Sequence, residues 1–322
     1  MHINEIVQDG KTMKKSKPFF PAMLVSLLAS VLFLTGCATT VKVTVERPPA
    51  LNTAGIRRIA VMPFESNDRS QREMAQYATT VATRIITEMN HFTLVDPSEI
   101  ERLRRYYQSI EPYVDALFTG RITRIDATNN AVQNDYRNRD GTITYYTNYN
   151  TDVEIELNYS LVRAGDASLI GPVFKEGTYS LSSQEGYPSA AEVLRTAIDN
   201  ELRYLGRDFA PHTVTENRSF ASDKSKNKVL QAEMKDTLSQ VKAGNNRAAL
   251  EAYLGIYERY KSIAAAENAS ILHEVFGDTQ VAADLMRRVF ADTGDPRARE
   301  VLTRLNKILQ DQATLAGEYT DF

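Results

Sequence analysis

The chain offers little for covalent chemistry: one cysteine, Cys37, and four histidines, His2, His91, His212 and His273. A cysteine nucleophile needs a neighbouring base, and a zinc site needs several clustered ligands. His273-Glu274 begins like a zinc-protease helix, but Val275-Phe276-Gly277 follows where the second histidine would have to stand. Neither a glycine-rich phosphate loop nor a nucleophile elbow can be read. Asp152, Glu154 and Glu156 alternate along one strand and so put three carboxylates on one face about 7 Å apart, spacing that suits an acid pair or a cation. The simpler reading is a solvated face opposite Arg121 or Arg124. Arg102, Arg104 and Arg105 read as the wet side of a helix. The sequence therefore predicts no catalytic residue, no metal, no cofactor and no small-molecule substrate, and so no enzyme.

The position of Cys37 gives it a different chemistry. Lys14-Lys15-Ser16-Lys17 precedes an uncharged stretch from Pro18 to Val41 that is mostly apolar through Leu34, the order of a secretory signal, with Met1 or Met13 as its start. It ends in Leu34-Thr35-Gly36-Cys37-Ala38, which resembles the lipobox of bacterial lipoproteins. The resemblance implies cleavage before Cys37, acylation of its thiol and a membrane anchor of two or three acyl chains. Ala38 after the cysteine resembles lipoproteins bound for the outer membrane, which implies a protein facing the periplasm.

Removing residues 1–36, with their four lysines and two acids, takes 38 basic and 41 acidic residues to 34 and 39, net −5. Nucleic-acid binding needs the opposite bias. Apolar content of 43 % and charged content of 25 % suit a folded chain.

The remaining chain divides into a tether at 37–55, an α/β domain at 56–206, a polar linker at 207–226 and a helical region at 227–322. Ile59 to Phe64 reads as a buried strand; Met74, Tyr77, Ala78, Val81, Ile85 and Met89 then mark one helix face, capped by Ser70 and Glu73. A second strand, His91 to Val95, leads through Asp96-Pro97 into a helix over Ile100, Leu103, Tyr107 and Ile110. Val114 to Ile125 holds a third strand. From Ile143 to Leu161 the odd positions are mostly apolar or aromatic and the even ones polar, which predicts a long strand with one packed face. Asp140-Gly141 makes it half of a hairpin with Thr128 to Arg139. A strand over Leu169–Ser182 and a helix capped by Ser189 and Glu192 and closed by Gly206 complete the domain. The fold class predicted is α+β: a layered α/β sandwich with a long β-hairpin, followed by a small all-α region.

Two features suit binding. Tyr136, Tyr145, Tyr146 and Tyr149 crowd the hairpin among asparagines, and tyrosine buries large area at low entropic cost. In the helical region, Gly244 to Tyr257 aligns with Gly277 to Phe290 at a spacing of 33, resembling a tetratricopeptide repeat, whose helix pairs present a groove to a partner.

Together the lipobox, the strand ending in Pro63-Phe64, Phe92-Thr93-Leu94-Val95-Asp96 and Asp115-Ala116-Leu117-Phe118-Thr119-Gly120-Arg121-Ile122 resemble the CsgG/LpoB-like lipoproteins of curli secretion and peptidoglycan-synthase activation over about 56–206. The resemblance implies a non-enzymatic envelope adaptor or assembly factor with a protein partner. The alternatives are a secretion-channel subunit and a synthase activator. A channel subunit would need two membrane hairpins; one is present, with Asp135, Arg137 and Arg139 in its first arm. An activator would need reach, and the 14 residues from Lys42 to Gly55 span about 46 Å at most.

Overall fold

The computed structural model describes residues 39–318 except 67 and 107. Cys37, the remaining lipobox residues and the signal segment lie outside the described residues. Along the chain come β1 (Thr40–Arg47), β2 (Arg58–Val61), β3 (Glu65–Ser66), α1 (Arg72–Glu88), β4 (Thr93–Val95), α2 (Pro97–Arg105), β5 (Ala116–Arg137), β6 (Ile143–Arg163), β7 (Leu169–Ser183), α3 (Ala190–Leu202), α4 (Leu205–Phe209) and β8 (His212–Ser219). Five helices follow: α5 (Lys228–Lys242), α6 (Asn246–Tyr260), α7 (Ile263–Val275), α8 (Thr279–Thr293) and α9 (Pro296–Glu318). The fold is α+β, a mixed sheet with helices followed by a helical region.

The sheet runs β4-β2-β5-β6-β7, with β3 beside β5. β4, β2 and β5 are parallel, β5, β6 and β7 antiparallel. Asp115 locks the parallel register by accepting from the backbone N–H groups of Arg57 and Arg58 at 2.8 and 2.6 Å and from the Arg58 guanidinium at 2.7 Å. Burial pushes its pKa up, but these hydrogen bonds outweigh that and hold it below the usual carboxylate range. One sheet face is covered by α1, α3 and α4 over Phe118, Ile122, Val153, Ile155, Leu157 and Tyr159. α2 covers a smaller patch on the opposite face with Ile100 and Leu103, leaving Arg102, Arg104 and Arg105 in water. The Phe64 ring lies so close over Gly120 that a Cβ there would fall among its ring atoms, so only glycine fits.

Several expectations are corrected. The segment expected as a tether at 37–55 is, over its described residues 39–55, not free: β1 pairs along its whole length with β8, and Ala50 and Leu51 N–H groups donate to the carbonyls of Arg207 and Asp208 at 3.0 Å each. Residues 207–226 are correspondingly not an open linker, since their polar alternation is that of a strand. In β8 the partly covered His212, Val214, Glu216 and Arg218 alternate with exposed Thr213, Thr215, Asn217 and Ser219, a pattern hidden by Thr, Glu and Asn. Gly206 does not close a helix but lies inside α4. Asp68, not Ser70, caps the turn before α1, because its carboxylate reaches the Ser70 N–H at 2.8 Å. Ser189 makes no side-chain cap, whereas Asp96 accepts from Ser98 N–H at 2.8 Å with Pro97 in the first turn, as its sequence requires.

Consecutive helices from α5 to α9 pack on one another around Tyr253, Ile256, Leu272, Met286 and Leu305. Ala249 and Ala282 are both fully buried, and Gly244 and Gly277 both turn with φ near +80°. The ribbon of β1 and β8 packs on this helical core through Val41 and is tied to it by charge. Glu274 on α7, its side chain 1 % exposed, accepts from Arg218 Nε at 3.2 Å and from Arg304 Nη2 at 2.8 Å. Arg218 continues to Glu216 at 2.6 Å, Glu216 to Arg47 at 2.6 Å, and Arg47 to Asp311 on α9. These alternating charges staple both ribbon strands to the helices.

Candidate functional site

β5 and β6 are much longer than the core beneath them. β7 supports β6 only as far as the Tyr149–Ser183 pair. Beyond it, residues 132–137 and 143–148 form a bare two-stranded ribbon closed by a turn in which Gly141 has φ +87° and Asp140 accepts from Thr142 N–H at 3.0 Å. The expected packed face of β6 therefore holds only from Thr151 inward, where Thr151, Val153, Ile155, Leu157, Tyr159 and Leu161 are buried. From Ile143 to Tyr149 the same odd positions run past the edge of the core.

The four tyrosines divide between two faces. Antiparallel pairing sets Tyr145 opposite Asp135 and Tyr149 opposite Ala131 on the odd face; Tyr146 opposite Asn134 and Tyr136 opposite Thr144 share the even face as diagonal neighbours. Tyr136 and Tyr145 are 61 % and 64 % exposed. Tyr146 is 36 % exposed, and Tyr149 is half-buried, its ring packed edge-on against Tyr187 at 5.1 Å between centroids. Tyr149 thus anchors the base of the ribbon, while the other three stand beyond it. Sequence reasoning missed Ile143 and Val132, which are also exposed on the ribbon; their signal was apolar character in strands with no core left to face.

Neither ribbon face forms an apolar band. The odd face includes Asp135, Arg137 and Gln133, and the even face Asn134, Thr144 and Asn148. Such faces suit a polar partner surface gripped by aromatic anchors, not acyl chains.

The carboxylate ladder is where the alternation placed it, on the open sheet face, and Arg124 is its counter-ion. Arg124 reaches Asp126 at 3.0 Å, Glu156 at 3.2 Å and Glu154. Among the described residues no group of three or more histidine, cysteine, aspartate or glutamate side chains is arranged to hold a metal ion. A groove of about 650 Å³ lies past the end of β2 and along the first part of β5, beside Phe64, Arg104 and Asn158. Its lining contains neither Cys, His nor Ser, and its Arg121 and Glu65 are paired with each other. His273, half-buried on α7, is a helix residue 3.8 Å from Asp278. Under the sheet, the buried Tyr159 hydroxyl donates to Asp208 at 2.6 Å; burial first and that bond second raise its pKa far above the usual phenol range. It is held as a structural donor.

No known protein-family model matches the chain, and no curated protein matches it. Several solved structures are similar over about half of it, bacterial lipoproteins among them. They include the PelC dodecamer from Paraburkholderia phytofirmans (10 % identity, 53 % of this chain and 98 % of that one, TM-score 0.27). Lipoprotein GNA1162 from Neisseria meningitidis is similar at 11 % identity over 47 % of this chain and 98 % of that one, TM-score 0.27. The rare lipoprotein B from Shewanella oneidensis is similar at 12 % identity over 47 % and 94 %, TM-score 0.22. At TM-scores this low the likeness identifies no function. Among the described residues no helix is long and apolar enough to cross a membrane.

Proposed function

We propose that the protein is a non-enzymatic lipoprotein of the bacterial cell envelope, anchored through Cys37 to the outer membrane and facing the periplasm, and that it acts as an adaptor whose β5–β6 ribbon docks on a partner protein. The observation that carries the reading is the bare ribbon itself. A two-stranded hairpin is marginally stable in water, and this one extends past its supporting strand while exposing Tyr136, Tyr145, Ile143 and Val132. Its tyrosines are rigid anchors of the kind enriched at interfaces, and the asparagines between them supply hydrogen bonds. The helical region, read as tetratricopeptide-like, would add a second contact surface. The polarity of both ribbon faces favours a docking arm over a channel wall. Because β1 begins within three residues of Cys37, any reach toward a distant synthase has to come from the folded body.

A photocrosslinking amino acid at Tyr145, compared with one at Tyr106, tests the proposal. Tyr106 is equally exposed, at 67 %, but lies at the end of α2. Adducts specific to Tyr145 are expected; their absence in intact cells refutes docking by the ribbon.

A further inference from the structure

We infer that the end of the helical region around residues 223–228 is a membrane-docking face that lies against anionic phospholipid headgroups of the leaflet holding the anchor. The inference rests on the lipoprotein reading. Phe220 N–H donates to the Thr39 carbonyl at 3.0 Å, so the last ordered contact of β1 is fixed two residues from Cys37, about 7 Å of chain at most. Antiparallel pairing then decides which end of the molecule is near the bilayer. Thr40 pairs with Ser219, so the chain leaving β8 continues past the start of β1, in the direction from which the anchor arrives.

That continuation carries Lys224, Lys226 and Lys228, all exposed, followed by Val229 at 61 % exposure. It is held in place: Asn268 bonds both backbone groups of Ala221 at 2.7 and 2.9 Å, and Asp223 accepts from Ser262 at 2.9 Å. Lys224 lines a groove of about 440 Å³ with Lys261 and Arg297, from the α6–α7 turn and the start of α9. The acids there are already engaged: Asp223 as above, Glu258 with Lys261 at 2.9 Å and Asp295 with Arg297 at 3.2 Å. Among the described residues the three lysines of the loop make no ion pair within the protein. A basic cluster beside an acyl anchor is the arrangement that two-signal membrane attachment uses. The exposed valine next to Lys228 fits the headgroup boundary.

At an anionic surface each lysine favours the docked state about fivefold, so three favour it roughly a hundredfold. The test reconstitutes the full mature protein into phosphatidylethanolamine vesicles with and without phosphatidylglycerol and labels lysines with a membrane-impermeant ester. Lys242, exposed at the opposite end of α5 and about 21 Å from Lys228, is the internal control. Lys224, Lys226 and Lys228 should label at least tenfold more slowly in the anionic vesicles, with the difference lost in 1 M salt, and Lys242 equally in both. Vesicle flotation separates the two ways of failing. Protein that does not float overturns the anchor itself, whereas protein that floats with its three loop lysines labelled as fast as Lys242 overturns the docking face alone.

Discussion

Replacing Glu274 with alanine probes the charge chain that joins the ribbon of β1 and β8 to the helices. The carboxylate is almost fully buried and takes hydrogen bonds from both Arg218 and Arg304. Removing one partner of a buried ion pair costs about 3–5 kcal/mol, because the remaining charge stays desolvated. Two features place this case near the lower end. Arg304 is 29 % exposed and can turn to water, and Arg218, 11 % exposed, keeps its 2.6 Å bond to Glu216. The expected loss is about 3 kcal/mol, which for a helical unit of this size lowers the midpoint of thermal unfolding by roughly 12–24 °C. Circular dichroism at 222 nm reads the transition. Hydrogen exchange locates it: amides of α7, α9 and β8 should lose protection while those of α1 keep theirs. Glu233→Ala, which removes an exposed pair with Arg259, should shift the midpoint far less. A Glu274→Ala midpoint within about 3 °C of the wild type, or equal loss of protection in α1, would refute the staple.

Two further predictions concern stability. Gly120→Ala drives a methyl into the Phe64 ring and should destabilise the α/β domain by about 1–3 kcal/mol in urea unfolding; an unchanged midpoint would show that the ring gives way. Burial lowers the pKa of His273 below its ordinary value, with Asp278 opposing. The unfolded chain therefore takes up a proton near pH 6.5 that the folded helix resists, so this contribution is complete above that pH and declines on acidification, by at most about 1.4 kcal/mol per pH unit. His273→Gln should flatten the acid side of the stability profile of the helical region, and an unaltered slope would contradict the assignment.

The sequence made the α/β layers legible because Ile59-Ala60-Val61, the α1 face through Ala78 and Val81, and the alternation from Val153 to Leu161 all bury what their periods predict. The hairpin was legible in its turn but not in its reach: period two continues from Leu161 out to Ile143, and nothing local marks where the core ends. β8 was missed because His212–Ser219 is polar at every position but Val214, and its partial cover comes from a distant partner, Thr40–Arg47, that was itself read as a tether. The charge staple was unreadable for the same reason, since Arg47, Glu216 and Arg218 reach Glu274 and Asp311 only once that ribbon forms. At the hairpin, chemistry pointed to the tyrosines, but only strand register could divide them between faces and withdraw Tyr149 from the tip.

A photocrosslinking scan along the β5–β6 ribbon in living cells tests the docking arm most directly. The account predicts adducts from Val132, Tyr136, Ile143 and Tyr145, beyond the Tyr149–Ser183 pair, and none from Glu154 or Glu156 on the supported sheet. Adducts spread evenly along the sheet, or none from the tip, would contradict it.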